Sequence, residues 1–338
     1  MDTIVDLIIN LHTSTGDLVF ILISILAGLF LCWKAIPVTT DLMVNHAAGI
    51  SGKIFGPSSR TLVINASTNN PELLSMTVSM SSKRMGGWAN PLGSLLANCY
   101  LMYFIGIIWV YLGFLLKGKS KERKRFTNLL WLERKLFLWH ITAALAMFVC
   151  GVLALKAMEH HFASLGLNGG ESLPANDNLP ATGMAMYAAL AILLLGIIIF
   201  IIIEKRLKRK RPNLFTDIDD SEHGYSILAL LFGTVGLIAA CWVMNAFFLA
   251  WSVIYKDNLT AIFGPAIFVG LHYVLGALIT SLPELRVATA NYRKLTPADM
   301  NTALASASYS NFTNLVICAL GLIIFIILAT HGYTMPWR

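Results

Sequence analysis

Residues 184–211 read MAMYAALAILLLGIIIFIIIEKRLKRKR: twenty residues without a charge, then Glu204, then six Lys and Arg within seven positions. Twenty consecutive apolar residues in a helix match the thickness of bilayer hydrocarbon. A basic cluster at the end of such a stretch marks the cytoplasmic side. The rest of the chain follows the same pattern. Only 13% of its 338 residues are Asp, Glu, Lys or Arg, and 57% are apolar, whereas a soluble domain is roughly 25% charged. The missing charge predicts an all-α polytopic membrane protein.

Eight transmembrane segments are expected, at about 18–47, 61–82, 91–116, 134–157, 184–204, 225–255, 261–291 and 300–330. A second basic run, Lys117–Arg125, follows the third of them. With both basic runs in the cytoplasm, 18 of the 25 Lys and Arg fall inside, and both termini fall outside. The expected location is a bacterial inner (plasma) membrane. The net charge of +7 is concentrated in these topology signals, with no basic stripe interleaved with aromatics, so no nucleic-acid partner is expected. The partners are the lipid bilayer and inorganic cations. Cys32, Cys99, Cys150, Cys241 and Cys318 stand singly in apolar stretches and read as small buried hydrophobes. Asp2, Asp6 and Asp17 precede the first apolar stretch, which argues against a cleaved signal peptide.

The chain also repeats itself. Ile-Phe-Gly-Pro occurs at 54–57 and at 262–265. Each copy leads through an apolar stretch to Pro-Glu-Leu, at 71–73 and 283–285. Each Pro-Glu-Leu precedes a helix with small polar residues four apart: Asn90, Ser94 and Asn98, then Ser306, Ser310 and Asn314. Three segments make each copy, and the first copy starts outside while the second starts inside. The expected organisation is a first inverted repeat at 1–116, segments 4 and 5 with an outer loop at 117–204, a cytoplasmic linker at 205–224 and a second inverted repeat at 225–338. Interrupted polar helices at matching places in inverted repeats point to the binding site of a secondary transporter.

Glu72 and Glu284 fall inside apolar helices, where a carboxylate is costly and by default functional. Pro71 and Pro283 lack an N–H, which frees the carbonyls of Ser67 and Ile279. Thr68, Asn69, Thr280 and Ser281 lie beside them. Two carboxylates with amide, hydroxyl and backbone oxygens form a hard-cation set. Two negative charges balance one divalent ion, two sodium ions or two protons, so competition for them would couple the fluxes. No HExxH, GxSxG or paired catalytic Asp suggests an enzyme, and no resident cofactor is expected.

Ser67-Thr68-Asn69-Asn70-Pro71-Glu72 with Ala89-Asn90-Pro91-Leu92-Gly93-Ser94-Leu95-Leu96-Ala97-Asn98, and Ile279-Thr280-Ser281-Leu282-Pro283-Glu284 with Ala305–Asn314, resemble the two alpha-repeats of the cation/calcium exchanger superfamily. That superfamily includes sodium/calcium and proton/calcium antiporters. The resemblance implies that Glu72 and Glu284 bind a cation, helped by Thr68, Ser94, Asn98, Thr280, Ser310 and Asn314. It also implies that segments 1 and 6 slide across a core of segments 2, 3, 7 and 8. Both second motifs end in Asn, which leaves two carboxylates and is similar to proton-coupled members. Ser67, Ile279 and Tyr309 stand where the motifs have Gly, and the chain has eight segments where the family usually has about ten. The expected function is an antiporter that moves calcium or a similar divalent ion against protons or sodium. The alternative is a non-transporting relative serving as a membrane partner or sensor. Arg286 bears on that choice: two residues beyond Glu284 it should project away, toward Arg293, whereas a turn toward Glu284 would replace the cation. Asp41, His46, His140 and His272 read as structural or interfacial, and Trp33, Trp88, Trp131 and Trp337 as interfacial.

Overall fold

The computed structural model describes residues 2–56, 59–81, 88–164, 183–216, 224–255 and 281–330. Among these no strand occurs. The helices are α1 (Asp2–Thr15), α2 (Asp17–Phe30), α3 (Ile36–Phe55), α4 (Arg60–Ser67), α5 (Asn70–Ser81), α6 (Asn90–Tyr100), α7 (Gly106–Leu116), α8 (Ser120–Leu132), α9 (Arg134–Ser164), α10 (Met184–Lys210), α11 (Asn213–Thr216), α12 (Ile227–Ile254), α13 (Leu282–Tyr292) and α14 (Pro297–Thr330). Single π-helical turns join α2 to α3 at Leu31–Ala35 and α6 to α7 at Leu101–Ile105 without breaking either rod.

Among the described residues, six helical stretches are long and apolar enough to cross a membrane: Asp17–Phe55, Pro91–Leu116, Arg134–Met158, Met184–Lys210, Ile227–Met244 and Pro297–Thr330. The chain is thus a multi-pass membrane protein by length and composition. The expected span at 61–82 is two shorter helices, α4 and α5, because Pro71 cannot continue the hydrogen-bond ladder. Most of the span expected at 261–291 lies outside the described residues, as do His272, Thr280 and the second Ile-Phe-Gly-Pro.

The helices pack as two groups. α14 lies against α6, α9, α10 and α13, while α3 pairs with α12, and α4 contacts both α3 and α14. One apolar core runs through the first group, including Leu95, Met147, Leu193, Leu315 and Phe325. Another joins α3 and α12 through Ile36, Met43, Leu237 and Cys241. The close approach of α12 to α3 depends on glycine. A Cβ on Gly233 would lie 2.5 Å from the Met43 backbone nitrogen, a contact only a backbone shift could relieve. Gly233→Ala is expected to destabilise the protein by about 1–3 kcal/mol, read as a lower thermal unfolding midpoint in detergent. An unchanged midpoint would mean that α12 does not approach α3 this closely.

α14 is enclosed on every side where it passes the centre. Residues 300–311 are buried without a break. The run Ala303-Leu304-Ala305-Ser306-Ala307-Ser308 explains how, since small side chains let neighbouring helices close in from all directions.

Several details differ from expectation. α1 is an additional helix, fastened to the far end of α12 through His12, Asp17 and Tyr255: His12 Nε2 lies 2.7 Å from Asp17 Oδ1, and Tyr255 Oη donates to the same oxygen at 3.1 Å. The first basic run forms amphipathic α8, and the second forms the last turns of α10. Arg211 then donates to both oxygens of buried Glu133, at 2.6 and 3.0 Å, and this carboxylate raises the Arg211 pKa. Trp33 and Trp131 are exposed, whereas Trp88 is fully buried against α14. It belongs to the apolar core that includes Met76, Leu92 and Leu322, and Trp337 lies outside the described residues. All five cysteines are free; four are buried and Cys32 is intermediate.

Candidate cation site

α4 stops at Ser67, and a two-residue turn at Thr68–Asn69 separates it from α5. The polar side chains at the break cap the helix they end. Ser67 Oγ donates to Ile64 O, and Thr68 Oγ1 and Asn69 Nδ2 both donate to Asn65 O, at 2.8 and 3.1 Å. α5 then opens Asn70-Pro71-Glu72, and α13 opens Leu282-Pro283-Glu284. In both helices proline takes the second position, where a missing N–H costs nothing, and glutamate takes the third. Each carboxylate therefore lies at the positive end of a helix, which offsets part of its burial cost.

Each glutamate is matched to a serine from the partnering polar helix. Ser94 Oγ lies 3.2 Å from Glu72 Oε1, and Ser310 Oγ lies 3.3 Å from Glu284 Oε1. The two halves also interlock. Ser310 Oγ is 2.8 Å from Asn69 Oδ1, and Asn98 Nδ2 donates to Ser310 Oγ at 2.8 Å and to Asn311 Oδ1 at 3.0 Å. Thr68 lies beside the Glu284 carboxylate, and the two glutamates are near enough to repel one another. Every side chain in this constellation is at most 2% exposed.

Of the residues expected to bind cation, Thr68, Glu72, Ser94, Asn98, Glu284 and Ser310 are brought together by these contacts. Asn314 is fully buried one turn beyond Ser310. Thr280 lies outside the described residues. Ser306 is turned back onto its own helix, donating to Ala303 O at 2.6 Å. Sequence reasoning left Asn311 out of the site, although it was visible next to Ser310 in the second motif.

Some buried polar atoms here have no hydrogen-bond partner among the described residues: Glu284 Oε2, Asn98 Oδ1, Ser281 Oγ and both amide atoms of Asn314. Buried polar groups are hydrogen-bonded in the great majority of cases. Three of these residues, Asn98, Glu284 and Asn314, belong to the set expected to bind cation. No group of three His, Cys, Asp or Glu side chains occurs among the described residues, so the donor set is two carboxylates supplemented by amides and hydroxyls.

Arg286 does not enter the site. Its Nε and Nη2 donate to Asp41 Oδ1 and Oδ2 of α3, at 3.1 and 2.6 Å. The guanidinium turns away from Glu284 and lies near Arg293, as expected, and its hydrogen-bonding partner is an acid on another helix. Asp41 accordingly has an electrostatic role that its sequence position did not reveal. His46 Nδ1 accepts from Ser226 N at 3.1 Å, holding the start of α12. His140 is buried between Ser308 and Asn301, at 2.9 and 3.1 Å, which fits a structural role.

No protein family, no characterised protein and no solved structure matches the chain.

Proposed function

We propose that the chain is a secondary-active cation antiporter of the cation/calcium exchanger type. It would exchange calcium or a similar divalent ion for protons or sodium, by alternating access around Glu72 and Glu284. The single observation that supports this most is the cluster of unpartnered buried oxygens beside two helix-capped carboxylates. Oxygen-only donors with two formal charges suit a hard divalent ion, two sodium ions or two protons, and one set of charges serving both would couple their movements.

The repeated Pro-Glu starts of α5 and α13, each facing a polar helix, support the inverted-repeat reading. Eight spans, with both termini outside a bacterial plasma membrane, remain the reading the charge distribution favours. The Asp41–Arg286 pair supports transport over the non-transporting alternative, because the one cationic group near Glu284 in sequence is committed elsewhere. Calcium uptake into proteoliposomes tests the proposal. Uptake driven by an opposing proton or sodium gradient is expected. No movement of calcium, manganese, sodium or potassium under any gradient would overturn it in favour of a membrane partner or sensor.

A further inference from the structure

The orientation of one ligand in this site is fixed by a residue that does not itself face the cation. Asn311 Nδ2 donates to the backbone carbonyls of Leu95 and Ala144, at 3.1 and 3.2 Å, with Cys99 Sγ 3.7 Å away. Carbonyl oxygens only accept, so the Asn311 amide has one allowed orientation, and its Oδ1 faces Asn98. Asn98 must then present its NH2 group to Asn311, and the second proton of that group goes to Ser310 Oγ. Both Asn98 donors are consumed. Its Oδ1 is left buried and without a partner, in a constellation that already contains Glu284 and Asn69.

We propose that Asn311 is a positioning residue that holds the Asn98 carboxamide with its oxygen, not its nitrogen, toward the cation. This inference rests on the cation-site reading above. A flipped Asn98 would present two N–H donors to a positive ion, so the orientation separates a ligand from a repulsive group. The repeats are unequal here. The first copy has Leu95 where the second has Asn311, and Asn314, the counterpart of Asn98, makes no hydrogen bond through either amide atom.

The test uses purified full-length protein, with calcium itself as the probe. Binding is followed by isothermal titration and by the calcium-induced rise in thermal midpoint. Asn311→Leu removes the acceptor that fixes Asn98. Calcium Kd is expected to rise about tenfold, near the upper end for loss of one buried hydrogen bond. In uptake assays, KM for calcium should rise with little change in kcat. Asn311→Ser is smaller and strains nothing, but cannot reach Asn98; it should show the same loss if the leucine variant fails to fold.

The discriminating measurement uses the Asn98→Asp background. A carboxylate offers oxygen whichever way it turns and would meet Asn311 Oδ1 as an acceptor facing an acceptor, so adding Asn311→Leu there should leave Kd within about twofold or lower it. Wild-type affinity in both Asn311 variants would overturn the inference, as would an equal tenfold loss in the Asn98→Asp background. If Glu72→Gln and Glu284→Gln abolish calcium binding while the Asn311 variants do not weaken it, only the positioning role falls. No calcium binding, or binding that survives both glutamate substitutions, overturns the site and this inference with it.

Discussion

Glu72→Gln and Glu284→Gln, made singly, are each expected to reduce calcium uptake to the level of protein-free liposomes. The argument is electrostatic. A unit charge about 4 Å from a monovalent cation contributes on the order of 4 kcal/mol at an effective dielectric of 20, and about twice that for a divalent one. Loss of one carboxylate therefore weakens binding by a factor of roughly a thousand or more. Glutamine retains the length of the side chain and an oxygen, so the defect is in charge and not in shape. The same change should leave the cation-free protein at least as stable, because two buried carboxylates near enough to repel each other become one. Loss of uptake together with an unchanged or higher thermal midpoint is the expected signature. Full uptake in either variant would remove that glutamate from the mechanism.

The second large effect is expected at the link between the two helix groups. Asp41 belongs to α3 and Arg286 to α13, and both side chains are more than a third exposed. A pair this accessible contributes no more than about 1 kcal/mol to stability, so Asp41→Arg or Arg286→Asp should fold. Each single reversal nevertheless sets like charges face to face across a boundary that would have to move under the proposed alternating access. Each is expected to slow uptake about tenfold, and the double swap should recover it to within about threefold. Full activity in both single variants would show that the pair has no part in transport. A double swap no better than the singles would show that residue identity matters at those positions, not pairing.

Much of the site is visible in the sequence because its elements are local. Pro followed by Glu, and serine and asparagine at four-residue spacing, define a helix start and a helix face without help from the fold. The apolar stretches before Lys117 and Lys205 are equally local. What the sequence concealed depends on contacts between distant segments. Nothing near Asp41 announces Arg286, 245 positions later. Nothing in the second motif shows that Asn311 reaches the carbonyls of α6 and α9 rather than the ion. Trp88 read as interfacial because tryptophan usually is in membrane proteins, yet α14 approaches closely enough at Gly321 to cover it. α1 escaped notice because a polar fourteen-residue stretch does not resemble a span, and its apolar side is used against α12.

The enclosure of α14 constrains where mobility can reside. In its most apolar 18-residue stretch 44% of residues are buried, compared with 17% for the corresponding stretch within Asp17–Phe55, although nine of the 20 residues of α3 are buried. A helix gripped on all faces across residues 300–311 can rotate or slide only by tearing several interfaces at once. Within the Asp17–Phe55 rod the contrast is internal: α2 has one buried residue, Phe20, while α3 is held by α12, α4 and α13, and the π turn at Leu31–Ala35 between them is an irregular point at which α2 can flex. Ser310, Asn311 and Asn314 are thus carried on a helix that cannot shift alone, and freedom to move is greater in α2.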